Sequence, residues 1–205
     1  MEQAIDLYFT ALADLGRNAA CSDGAGKAQT LSAGFSWVMG QLARVKAEDR
    51  KVMFIGNGGS AGICSHMAID FTKNGGFGAL AFNDGAALTC LGNDLGYDQV
   101  FAKQVQMHGR SGDLLIAISS SGNSPNILNG VAAGRARGCA VATFSGFKPD
   151  NKLRVLGDTN FFVASHAYGF VETAHQALIH AILDFTMGFA DELLAAERGA
   201  KALSH

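Results

Sequence analysis

Residues 51–70 read KVMFIGNGGSAGICSHMAID. The apolar run Val52–Ile55 has the length of a strand buried on both faces. It passes directly into Gly56-Asn57-Gly58-Gly59-Ser60 and then into a helical stretch. The texture recurs at Ala79–Phe82, Leu114–Ile118, Ala140–Phe144 and Phe161–Ala164, short apolar runs with room for crossover helices between them. Such alternation predicts an α/β fold, a Rossmann-like five-stranded parallel sheet with helices on both faces.

Upstream, Ile5, Tyr8, Phe9, Leu12 and Leu15 recur at helical spacing within residues 2–20. The stretch CSDGAGKAQ (21–29) breaks that pattern, and Leu31, Phe35, Val38, Met39 and Leu42 resume it. Two N-terminal packing helices are therefore expected, and one long C-terminal helix from Phe170 to about Arg198. With no linker, repeat or low-complexity tract, residues 1–205 read as a single domain. Within it, residues 1–50 form a helical packing and oligomerisation segment and residues 51–205 the α/β core.

The 16 basic and 18 acidic residues give a formal net charge of −2, which supplies neither a basic field for nucleic acid nor a polybasic stretch for a membrane surface. At 48% hydrophobic and 17% charged, the chain carries more apolar surface than its length can bury alone, which predicts an oligomer. Cys21, Cys64, Cys90 and Cys139 lie far apart and form no CxxC, and the first residues do not read as a signal peptide. No apolar run approaches the length of a membrane span. A reduced, cytoplasmic protein is the expectation.

Ligands of open parallel sheets bind beyond the carboxyl ends of the strands. Two loops fall there: GNGGS (56–60), and Ser119-Ser120-Ser121-Gly122-Asn123-Ser124 ahead of Pro125. Glycine lets the backbone approach an anion, helix N-termini point N–H groups at it, and four serines add uncharged donors. That chemistry suits the phosphate monoester of a small molecule. Neither loop has the spacing of a dinucleotide fingerprint or a Walker loop. As isolated features, both could equally turn the chain and cap helices.

His66 and Asp70 lie four apart, on one helical face. Glu172 and His180 are separated by about 80° on a helical wheel. The two pairs could supply four N/O ligands to Zn²⁺ or a similar divalent ion, or the carboxylate and imidazole that proton transfer needs. A His–Asp pair at this spacing is also a common surface contact. His175 falls on another face from His180 and reads as a packed or hydrogen-bonded residue; His108, His166 and His205 carry no signal.

Together, FIGNGGSAGICSHMAID (54–70), LGNDLGYDQVFAKQV (91–105), GDLLIAISSSGNSPNIL (112–128) and FVETAHQALIHAILD (170–184) resemble a SIS (sugar isomerase) domain, and more narrowly the phosphoheptose isomerase family. The resemblance covers nearly the whole chain. It implies that Ser60, Ser119, Ser120, Ser121 and Ser124, with Gly58 and Gly59, hold a sugar phosphate, that Asn57 lines the sugar site and that Asp94 stands near the substrate. It implies that His66 and His180 bind zinc, with Asp70 and Glu172 at the other two ligand positions. His180 and Asp70 then carry acid–base chemistry, and Glu172 also borders the substrate. The family forms homotetramers with active sites between subunits.

The chain departs from the family pattern at the sugar end: Asp70 for Glu, Glu172 for Gln, Gly169-Phe170 for Asp-Arg, and Asn74 for Arg. The expected activity is aldose–ketose isomerisation of sedoheptulose 7-phosphate to a heptose 7-phosphate through an enediol. The alternatives are an isomerase of another phosphosugar, or a non-catalytic SIS adaptor that senses a sugar phosphate or docks on a replication initiator.

Overall fold

Odd and even positions of the predicted strands go to different cores. Val52, Phe54, Leu114, Ile116, Ala142 and Phe144 pack in one cluster, while Met53, Ile55, Leu115, Ala117 and Val141 pack in the other. This is the period-two alternation of a strand covered on both sides, and it explains why these runs are apolar at every position. The computed structural model describes residues 1–203, with side chains to residue 197; His205 lies outside the described residues.

The five predicted strands are present and parallel: β3 (Lys51–Gly56), β4 (Gly78–Ala81), β5 (Leu114–Ser119), β6 (Ala140–Gly146) and β7 (Thr159–Val163). The sheet is larger than expected. The stretch read only as a break forms a hairpin, β1 (Ala20–Asp23) and β2 (Ala28–Gln29), so that seven strands run in the order β2-β1-β7-β6-β5-β3-β4. The hairpin is antiparallel and pairs Cys21 with Phe161. Its turn is tied by the Asp23 carboxylate, which accepts from the Ala25 and Lys27 amides at 2.9 Å each, with Gly26 at φ +78°.

Helices α2 (Leu31–Ala47), α3 (Gly59–Lys73) and α7 (Tyr168–Thr186) contribute to the first core; α5 (Val100–His108) and α6 (Pro125–Ala136) contribute to the second. In α2 the buried Gly34, Val38, Leu42 and Val45 form one stripe. The expected single C-terminal helix is two. Gly188, at φ +99°, ends α7, and α8 (Phe189–Leu203) begins after it. A left-handed glycine terminates a helix whatever the apolar pattern beyond it.

Helix α1 (Glu2–Arg17) buries no residue, leaving Ile5, Leu7, Tyr8 and Phe9 exposed. It leans on α7 through the Tyr8 ring, 4.6 Å from that of Phe170. Among the described residues no helix is long and apolar enough to cross a membrane.

Candidate active site

Strands β3 and β5 are neighbours with Gly56 opposite Ile118, so the GNGGS and SSSGNS loops leave the sheet side by side. Between them lies a cavity of about 270 Å³, lined by Asn57, Gly58, Gly59, Ser60, Ser119, Ser120, Ser121, Ser124, Tyr168 and Glu172. The first loop needs its glycines: a Cβ on Gly56 would come within 2.8 Å of the Ser60 backbone, and Gly58 sits at φ +55° ahead of α3. In the second loop Gly122, at φ +63°, donates its amide to Ser119 Oγ at 3.2 Å, and Pro125 opens α6. A larger cleft of about 410 Å³ opens where β3 and β4 begin. That is the end of a parallel sheet that ligands do not use, and its buried Asp113 is already paired with Lys51 at 2.6 Å.

The serines are not equivalent. Ser119 Oγ donates to Ser124 Oγ at 3.4 Å, and Ser121 Oγ accepts from the Asn123 amide at 3.3 Å. Ser120 Oγ is buried and has no partner among the described residues. A buried hydroxyl left unsatisfied costs roughly 1–3 kcal/mol, which a ligand oxygen would offset. Among the described residues no Lys or Arg lines this cavity and its one charged side chain is Glu172, whose carboxylate lies against Gly59 and would collide with any side chain there.

Asn57 is held from two sides. Its carboxamide exchanges two 2.9 Å hydrogen bonds with buried Asn126, and Tyr97 Oη donates to Asn57 Oδ1 at 3.2 Å. Asn57 also borders an adjoining cavity of about 210 Å³, with Tyr97, Asp98, Ser124, Pro125 and Asn126. Tyr97, Asp98, Asn126 and Tyr168 escape the sequence reading. Tyr97 and Asp98 sit inside the quoted stretch 91–105 and Asn126 inside 112–128, whereas Tyr168 carries no signal of its own. Asp94, at the end of α4 (Gly85–Leu95), is exposed and bonded to Asn93 and Cys90, and it lines neither cavity.

A second group stands where α3 meets α7. His66 Nε2 is 3.2 Å from His180 Nε2 and 3.3 Å from Asp70 Oδ2, and His180 Nδ1 is 3.8 Å from the same oxygen. One ligand atom from each falls within 4.8 Å of the others. Two imidazoles and a carboxylate are a donor set that suits a divalent ion. Glu172, expected as the fourth ligand, is outside this group and belongs to the serine cavity. The helical wheel hid the reason: eight residues rise about 12 Å along a helix, so a shared sector does not bring two side chains together.

His175 is fully buried and donates Nε2–H to the Ser145 carbonyl at 3.0 Å, edge-on to Phe144. Burial pushes its pKa down to about 4, so it is neutral at physiological pH.

The SIS domain family model matches residues 27–146. A phosphoheptose isomerase of Nitratidesulfovibrio vulgaris is 37% identical over 158 residues, 74% of this chain and 76% of the relative. The chain belongs to the SIS-domain phosphoheptose isomerase family. A family member from Bradyrhizobium sp. is 35% identical over 178 residues, 83% of this chain and 88% of its own length. The solved phosphoheptose isomerase of Neisseria gonorrhoeae superposes with a TM-score of 0.76 at 29% identity, covering 90% of this chain and 98% of that one. The shared fold thus spans most of the chain.

Proposed function

We propose that this protein is a sugar-phosphate isomerase that converts sedoheptulose 7-phosphate to D-glycero-D-manno-heptose 7-phosphate through an enediol. One observation carries the reading: the unpartnered, buried Ser120 hydroxyl in a serine- and glycine-lined cavity at the carboxyl edge of the sheet. Helix α3, whose first turn borders that cavity, also carries His66 and Asp70. A sugar-phosphate sensor needs the first feature only; an isomerase needs a carboxylate and an imidazole as well.

The phosphate sits between the loops, held by Ser60, Ser119, Ser120, Ser121 and Ser124 and by the free N–H groups at the starts of α3 and α6. Isomerisation requires removal of a proton beside the carbonyl and its return to the neighbouring carbon. Asp70 takes the carbon proton, while His180 moves the proton between the two substrate oxygens. His66 steadies Asp70 from 3.3 Å. His66, Asp70 and His180 would hold a zinc or similar ion, which when bound stabilises negative charge on the oxygens of the enediol. Asp70 Oδ1, which accepts a 3.5 Å hydrogen bond from Asn74 Nδ2, keeps a lone pair for a proton while Oδ2 serves as ligand.

The four free cysteines fit a reducing cytoplasm, and the exposed apolar residues of α1 fit a homotetramer with sites between subunits. The test is NMR of the ketose incubated with enzyme in D₂O. Aldose carrying deuterium at C2 is the expected result. Recovery of unchanged ketose contradicts the isomerase reading, and aldose still free of solvent deuterium after prolonged equilibration contradicts the enediol route.

A further inference from the structure

Behind the serine loop runs the segment 145–154, and Asn151 at its centre is only 3% exposed. Its amide Nδ2 donates to three oxygens: Ser145 Oγ at 3.3 Å, the Gly146 carbonyl at 3.2 Å and the Lys148 carbonyl at 2.8 Å. Its Oδ1 accepts from the Arg154 amide at 3.1 Å, capping the short 3-10 turn Lys152–Val155. The same carboxamide fills the space a side chain on Gly122 would need, so it braces the serine loop at its left-handed residue.

Three further bonds knit the two segments. The Gly146 amide donates to the Ser120 carbonyl at 3.0 Å, the Leu153 amide to the Gly122 carbonyl at 2.9 Å, and the Lys152 amide to Asn123 Oδ1 at 3.2 Å. Asn151 thus fixes the segment that in turn fixes the backbone of Ser120, Gly122 and Asn123. Every bond of its carboxamide is internal to this segment, and Asn151 is not a lining residue of the cavity.

We propose that Asn151 is a positioning residue for the phosphate: it sets the shape of the 119–124 loop and thereby the aim of the serine hydroxyls. The proposal rests on the reading of the serine cavity as a phosphate site. A site without a cation draws its affinity from the placement of several neutral donors, so a loop displaced by a few tenths of an ångström loses several contacts at once.

The test uses the full chain and two variants. Asn151→Asp keeps the size, removes both N–H donors and turns a carboxylate toward three acceptors. Asn151→Ser keeps an oxygen able to cap the 3-10 turn but is too short to brace Gly122. Inorganic phosphate is titrated by calorimetry, and KM and kcat are measured on sedoheptulose 7-phosphate. Loss of the buried donor network is expected to weaken phosphate binding about tenfold or more in both variants. KM should rise in parallel, with kcat within about twofold.

A merely structural role would lower the melting temperature and leave the phosphate affinity of the folded fraction unchanged; that result in either variant overturns the proposal. Wild-type protein that binds phosphate but does not isomerise contradicts the isomerase reading alone, and the phosphate titrations still decide the role of Asn151. Wild-type protein that binds no phosphate contradicts the cavity assignment and overturns the proposal with it.

Discussion

Replacing Glu172 by Gln tests how the cavity handles charge. The cavity's volume of about 270 Å³ corresponds to a sphere about 8 Å across, so a phosphate inside it lies on the order of 6 Å from the Glu172 carboxylate. At an effective dielectric constant of about 40 the repulsion is roughly 1.4 kcal/mol per phosphate charge, about a factor of ten in affinity. Because Glu172 is partly exposed, the effect of a single phosphate charge is the expectation: KM for the phosphosugar falls about tenfold in Glu172→Gln at low ionic strength. The assay is steady-state kinetics of both proteins at low and high salt. Added salt should narrow the gap by lowering the wild-type KM more than that of the variant. A KM that stays level in Glu172→Gln refutes the reasoning, and one that rises would also place the carboxylate in a favourable contact with substrate.

Asp70→Asn should lower zinc affinity more than tenfold while inorganic phosphate binds as in the wild type, because the two groups of residues are separate; paired titrations check it. For His175, the native pKa of about 4 lies below the unfolded value of 6.5, so only the unfolded chain gains the proton between these limits. Stability should fall by about 3 kcal/mol as pH drops from 6.5 to 4, and urea midpoints of His175→Gln should lose that part of the slope. Cys90 is exposed, whereas Cys21, Cys64 and Cys139 are buried, with the Cys64 and Cys139 thiols pushed up by desolvation. One thiol per chain should react rapidly with an aromatic disulfide reagent, and none in Cys90→Ser. Gly34→Ala should lower the unfolding midpoint, since a Cβ there collides with Cys21 Sγ and presses on the Phe161 ring; a midpoint unchanged in urea denaturation would contradict that packing.

The parallel strands were legible because they are buried on both faces, which makes Val52–Ile55 and Leu114–Ile118 apolar at every position. The β1–β2 hairpin was not, since four and two residues are too few for a period and what defines it is pairing with β7, a contact more than a hundred residues away. Gly188 shows the opposite limit. One glycine divides α7 from α8, and the amphipathic pattern on either side conceals it.

At the site, the contiguous loops were legible because local sequence sets both their glycines and their serines. His66 and Asp70 were legible as neighbours on one helical turn. The approach of His180 to them depends on how α7 crosses α3, which no spacing within either helix contains. The placement of Glu172 failed for a related reason, since axial rise disappears in projection. Tyr97 and Asn126 act through Asn57, 40 and 69 residues away, so spacing within their own stretches does not show the contact. The hydrogen bonds of Asn151 are local, but its brace against Gly122 crosses from one loop to another.

The most direct test of the account is turnover of sedoheptulose 7-phosphate by purified protein stripped of metal and then resupplied with Zn²⁺. Formation of a heptose 7-phosphate, restored by the ion and abolished in Asp70→Asn and His180→Ala, is the predicted result. Sedoheptulose 7-phosphate that binds the serine cavity and returns unchanged, with or without the ion, would contradict it.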